Sequence, residues 1–152
     1  MLRPHQLIRA LIITALLSLA GTTAFADTVS DGRYDWPVLG AIDGDTLKVH
    51  LPGLPMELQP MKVRVRGIDT PEIRGKCDRE KQAANKATAL TRFLISQAKA
   101  RKKSIVFSEI GWDKYGGRLD AIVTIDGQSL GAILISAGLA RAYDGGKRMG
   151  WC

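Results

Sequence analysis

Histidine and cysteine are scarce in this chain of 152 residues, with only two of each. Two cysteines are too few for a four-cysteine metal site or a disulfide-dense scaffold. The histidines are His5 and His50. If His5 is lost with an N-terminal leader, no multi-histidine zinc site or histidine relay can be assembled. No G-x-x-x-x-G-K-[ST] or G-x-G-x-x-G run is present, which argues against nucleoside-triphosphate and dinucleotide chemistry. Internal repeats and low-complexity stretches are absent as well. The chain is 45% hydrophobic, enough for one packed domain and not for a disordered polymer.

Residues 1–26, MLRPHQLIRALIITALLSLAGTTAFA, have the form of a signal peptide. Arg3 and Arg9 open it, Ala10 to Ala20 form its apolar centre, and Ala24-Phe25-Ala26 supply a small-x-small cleavage site. The apolar run is shorter than the ~20 residues a membrane-spanning helix needs. A mature chain starting at Asp27 is therefore expected, periplasmic or secreted, without stable membrane association and monomeric by default for its size. Discounting the two leader arginines lowers the formal charge from +7 to +5. A small basic exported protein is drawn to polyanions such as nucleic acid, anionic lipid or acidic polysaccharide. In an oxidising compartment, pairing is the default for Cys77 and Cys152.

Residues 27–40 read as an N-terminal arm and residues 41–152 as the folded domain. Leu47, Val49 and Leu51 alternate with Lys48 and His50, and Val63 and Val65 alternate with Lys62, Arg64 and Arg66. With Pro52-Gly53 between them, these runs predict antiparallel strands. From about Arg79 to Ala100, Ala83, Ala84, Ala87, Leu90, Leu94 and Ala98 recur at three- and four-residue steps, predicting a long amphipathic helix. Ile105-Val106-Phe107 and Leu119–Ile125 read as further strands, the latter turned by Asp126-Gly127. Ser129 can cap a short helix from Leu130 to about Ala137, closed by Gly138. The fold class is α+β with a small antiparallel sheet or barrel.

Two carboxylate-rich turns stand at strand ends, Ile42-Asp43-Gly44-Asp45-Thr46 and Asp69-Thr70-Pro71-Glu72. Brought together, Asp45, Asp69 and Glu72 repel one another unless a cation lies among them. An all-oxygen donor set favours a hard ion, calcium or magnesium, over zinc. Asp43 reads as a turn residue. Arg64 lies on the polar face of its strand, and Arg118 follows the loop Asp113-Lys114-Tyr115-Gly116-Gly117. Two guanidinium groups can neutralise charge gathering on a phosphorus centre, whereas Arg66, Arg74 and Lys76 read as solvated or non-specific charges. Together these parts suggest phosphodiester hydrolysis.

In I-D-G-D-T, in the stretch VRVRGIDTPE from Val63 to Glu72, and in Asp113-Lys114-Tyr115-Gly116, the sequence resembles the staphylococcal nuclease (thermonuclease) family. Arg118 and Gly138-Leu139-Ala140 follow in the same order, so the resemblance covers nearly all of residues 38–143. It implies a five-stranded OB-type antiparallel barrel with a long helix after the third strand and a short C-terminal helix. It places Ca²⁺ on Asp45, Asp69 and the carbonyl of Thr70, and makes Glu72 the general base. It gives Arg64 and Arg118 the scissile phosphate, and sets Lys114 and Tyr115 near the bound nucleotide. The implied reaction is endonucleolytic cleavage of DNA and RNA, leaving 3′-phosphate ends.

Three features depart from the family pattern. The loop before Arg118 is one residue longer, and Asp120 stands where an apolar residue is expected. The chain also ends at Cys152 without a long final helix, so a Cys77–Cys152 bridge would supply the anchoring that such a helix provides. One alternative is a non-catalytic nucleic-acid-binding module of OB type, since such barrels bind nucleic acid without cutting it. Another is a basic envelope protein with structural carboxylates only.

Overall fold

The computed structural model describes residues 32–152; the leader expected over 1–26 and the start of the arm expected over 27–40 lie outside the described residues. The elements in order are β1 (Arg33–Tyr34), β2 (Val38–Ala41), β3 (Thr46–Val49), β4 (Met61–Val65), β5 (Ile68–Asp69), α1 (Asp78–Ala100), β6 (Ile105–Trp112), β7 (Leu119–Ile125), β8 (Gln128–Ser129), α2 (Leu130–Ser136) and β9 (Arg141–Ala142).

Alternation produces the strands. In β7, Leu119, Ala121, Val123 and Ile125 are buried while the residues between them are half-exposed, the period-2 pattern of a strand with one face on a core. Val63 and Val65 of β4 and Leu47 and Val49 of β3 are also buried. Phe107, Leu130 and Leu134 fill the middle of the same cluster. The helix α1 buries Ala84, Ala87, Thr88, Thr91, Ile95 and Ala98. These recur at three- and four-residue steps, and their small side chains let the helix lie close to the sheet. Ser129 caps α2 by accepting from the Ala132 amide at 3.2 Å, and Gly138 beyond it takes a φ of +68°, a left-handed conformation that glycine adopts without a Cβ clash.

The α+β class, the long helix and the short C-terminal helix match the expectation. Among the described residues the strands do not close into a five-stranded barrel. The principal sheet runs β1-β6-β7-β4-β3-β2 with β8 beside β7, and β5 pairs with β9 in a separate ribbon. The sheet is mixed rather than antiparallel, because β4 and β7 run parallel with Arg64 opposite Asp120. A parallel pair needs a long crossover connection, here supplied by α1 and β6. The long helix follows β5, the two-residue strand that carries Asp69, rather than a third strand. β6 is also longer than the predicted Ile105-Val106-Phe107, reaching Trp112 past an irregularity between Ser108 and Gly111.

Candidate active site

The turn between β2 and β3 is gripped by α1. Thr91 donates its hydroxyl to the Gly44 carbonyl at 2.8 Å, and Arg92 donates to the Ala41 carbonyl at 3.1 and 3.2 Å. A Cβ at Gly44 would lie 2.7 Å from the Ala87 Cβ and 3.1 Å from Thr70 Cγ2. Only glycine fits there, and its closeness brings the Asp45 turn against Thr70. Asp43 is a turn residue as read, its Oδ1 accepting from the Asp45 amide at 3.1 Å.

Asp45 and Asp69 are each 5% exposed, a strongly desolvated position for a carboxylate. Asp45 accepts from the Thr46 hydroxyl at 3.0 Å and lies 3.4 Å from Arg64 Nη2. The same nitrogen donates to the Ile68 carbonyl at 2.8 Å, so one guanidinium ties Asp45 to the residue preceding Asp69. Burial pushes the Asp45 carboxyl up to about 6, with Arg64 pulling it down and Asp43 pushing it further up. Desolvation thus outweighs the pull of Arg64. Asp45 and Asp69 are buried carboxylates, and Asp69 Oδ1 accepts no hydrogen bond; hard oxygen donors of this kind suit a divalent cation such as calcium.

Asp45, Arg64, Glu72, Lys114, Tyr115 and Arg118 line one cleft of about 120 Å³, with Asp43, Asp113 and Tyr143. Asp69 and Thr70 border an adjoining cavity of about 320 Å³, and Glu72 and Arg148 border both. The additional residue before Arg118 does not carry it away from the site. Asp113 Oδ2 pairs with Arg118 Nη2 at 3.0 Å, and the Asp113 amide donates to the Arg118 carbonyl at 3.1 Å, closing the loop on itself. Lys114 bonds the Gly145 carbonyl at 3.1 Å, while the Tyr115 ring is 80% exposed at the cleft mouth. Tyr143 lies under the Arg64 guanidinium, 5.6 Å from ring centroid to carbon.

The Glu72 loop is braced from below by Glu80, a buried residue that sequence reading did not single out. Its carboxylate accepts from the Lys76 amide at 2.8 Å and the Glu72 amide at 3.4 Å. A Cβ at Gly75 would collide with that carboxylate at 2.4 Å.

The C-terminal residues were also unforeseen as part of the site. Arg148 Nη1 lies 2.6 Å from Glu72 Oε1 and Nη2 meets Asp69 Oδ1, while Trp151 donates its indole N–H to Asp69 Oδ2 at 3.1 Å. The expected disulfide is present between Cys77 and Cys152, with Cα atoms 6.0 Å apart. Two charges fall outside the cleft. Asp120 Oδ1 pairs with Arg66 Nη2 at 2.8 Å, which accounts for a carboxylate where an apolar residue was expected and leaves Arg66 without a place among the cleft-lining residues. His50 does not line the cleft.

The sequence model of the staphylococcal nuclease homologue family matches residues 62–149, more than half of the chain. The match includes Arg64, Asp69, Thr70, Glu72, Arg118 and Arg148, and Asp45 precedes it. By that match, and by the carboxylates and arginines its residues bring to one cleft, the chain belongs to the staphylococcal nuclease homologue family, a nuclease family of hydrolases.

Proposed function

We propose that this chain is an exported calcium-dependent nuclease that cuts DNA and RNA internally and leaves 3′-phosphate ends. The observation that carries the reading is the convergence of Asp45, Arg64, Glu72 and Arg118 on a single cleft. Arg64 and Arg118 hold the scissile phosphate from two directions, each already oriented by a carboxylate, Asp45 and Asp113 respectively. Their fixed donors meet the charge that grows on the phosphoryl oxygens, an arrangement that needs no reorganisation during reaction. Glu72, 55% exposed at its side chain, takes a proton from water as the water oxygen attacks phosphorus. The bond from phosphorus to the 5′ oxygen breaks, and that oxygen takes a proton from solvent water and leaves as a hydroxyl. Asp45, Asp69 and the Thr70 carbonyl would hold the calcium ion, which when bound polarises the phosphate and offsets its charge. Tyr115, exposed beside the cleft, offers a face for base or sugar packing, and Lys114 a charge for the backbone.

The test uses protein beginning at Asp27 with single-stranded DNA and with RNA, each in calcium and in EGTA, alongside Glu72→Gln. Calcium-dependent cutting that falls by a hundredfold or more in Glu72→Gln, about the ~10²–10⁴ typical of a lost general base, supports the enzyme. Tight binding without cutting in either condition would instead leave a nucleic-acid-binding module that has kept the motif.

A further inference from the structure

Residues 144–152 form a strap with no helix or strand of its own, yet it is anchored at several points. Cys152 is bonded to Cys77 at the start of α1. Arg79 donates to the Trp151 carbonyl at 2.9 and 3.2 Å. Arg141 donates to the Gly150 carbonyl at 2.9 Å and lies 3.8 Å over the Trp151 ring. The strap thus delivers Arg148 to one place, between Asp69 and Glu72. The position is chemically specific, since the two terminal nitrogens of one guanidinium meet two different carboxylates.

We infer that Arg148 is a tethered counter-ion that holds the Asp69 and Glu72 carboxylates and must yield Asp69 for a divalent cation to bind, so that the strap sets the protein's calcium affinity. The inference rests on the proposed metal role of Asp69. The charge pattern around the cleft supports it. Arg64 faces Asp45 and Arg118 faces Asp113, while Arg148 serves Asp69 and Glu72 together. The Arg148 charge stands beside Asp69 Oδ1, a buried oxygen that accepts no hydrogen bond, so it neutralises the donor a cation would use and opposes a second positive charge at short range. Trp151 is different in kind. Its neutral N–H on Oδ2 orients the carboxylate without competing in charge, as an outer hydrogen bond does for a metal ligand. Arg148 is carried by the strap, whereas Arg64 and Arg118 belong to the sheet and its adjoining loop.

Isothermal titration of calcium into metal-free protein, with no nucleic acid present, tests this apart from activity. Arg148→Ala is expected to bind calcium about fivefold tighter, the scale of losing one nearby like charge across a partly solvated gap. Arg148→Lys, which restores the charge, should return toward the wild-type affinity. Cys152→Ser, which frees the strap end, should also bind tighter than wild type. Equal or weaker binding by Arg148→Ala overturns the inference alone. No calcium binding by wild type or any variant overturns both it and the proposed metal site. A second readout needs no arginine substitution: Trp151 emission, isolated by subtracting the Trp151→Phe protein, should change on calcium addition as Arg148 lets go. An unchanged signal at saturating calcium would overturn displacement.

Discussion

Thr91, halfway along the long helix, donates its hydroxyl to the carbonyl of Gly44, 47 positions earlier and next to Asp45. The contact joins the principal helix to the turn that carries the first site carboxylate. It is buried, so both partners depend on it: a carbonyl left without its donor in such a place costs about 1–3 kcal/mol. Thr91→Val keeps the shape and removes the hydroxyl. It should lower unfolding stability by that amount in urea titrations, with Thr91→Ser recovering part of it. Gly44→Ala places a methyl 2.7 Å from the Ala87 Cβ and should cost about 1–3 kcal/mol by overpacking. Because the turn must shift to admit the methyl, Gly44→Ala should also weaken calcium binding. A variant with full stability and unchanged calcium affinity would contradict the packing described.

Glu80 holds a second element of the cleft in place from beneath it. Its two oxygens receive the amides of Glu72 and Lys76, organising a loop that forms no helix or strand. Glu80→Gln keeps the volume but turns one acceptor oxygen into a donor that faces an N–H. The expected result is a drop in kcat of about tenfold, equivalent to ~1.4 kcal/mol of transition-state stabilisation, with KM changed far less. That split follows because Glu80 does not line the cleft containing Arg64 and Arg118 and acts by placing Glu72. A change confined to KM would argue for a direct part in substrate binding.

The legible portions of the site were those written in local sequence. The I-D-G-D-T and D-T-P-E turns, the alternating valines of β4 and the small-residue stripe of α1 each declare themselves within a few positions, because turn chemistry and periodicity are short-range signals. The parallel pairing of β4 with β7 was not legible. It depends on how α1 and β6 return the chain across the sheet, and nothing in Val63-Arg64-Val65 distinguishes a parallel neighbour from an antiparallel one. Asp120 looked misplaced for a related reason: its partner Arg66 is 54 positions away. The strap was least readable of all. Gly-Lys-Arg-Met-Gly-Trp-Cys has no periodicity, and Arg148 and Trp151 acquire meaning only through contacts spanning 76 and 82 positions. The one available signal was Cys152, which tied the end of the chain to the middle but did not say which side chains the tie would deliver.

The Arg66–Asp120 pair supplies a contrast within the same strands. Both side chains are partly open to solvent, at 36% and 25% exposure, and Glu109 is a further partner for Arg66 at 3.7 Å. Solvent-screened pairs of this kind contribute little. A double-mutant cycle of Arg66→Ala and Asp120→Ala should therefore return a coupling of about 0.5–1 kcal/mol by denaturation. Cleavage by the double variant should stay within about twofold of wild type, a barrier change of only ~0.4 kcal/mol. A much larger loss of activity would place Arg66 on the substrate path after all.

Asp45 allows the electrostatics of the site to be read through stability. Burial pushes its carboxyl up to about 6 from an ordinary 3.8, so the folded protein binds this proton more tightly than the unfolded chain. A group of that kind favours folding while protonated, and its contribution is lost as pH rises through the interval from 3.8 to about 6. Above that interval the metal-free protein bears the full cost of a buried, under-compensated negative charge. Asp45→Asn removes the charge and keeps the shape. With EGTA present, its Tm should differ little from wild type near the acid end of the interval. It should exceed wild type by a few degrees above the upper end, where one kcal/mol corresponds to about 3–5 °C for a protein of this length. If Asp45 holds calcium as proposed, calcium should reverse the comparison, since a ligand that binds the native state raises its Tm and would leave Asp45→Asn largely unaffected. Melting curves at a series of pH values, with and without calcium, check both statements. A Tm difference that stays flat across pH in EGTA would mean that Arg64 already satisfies Asp45, and that a cation has no charge deficit there to fill.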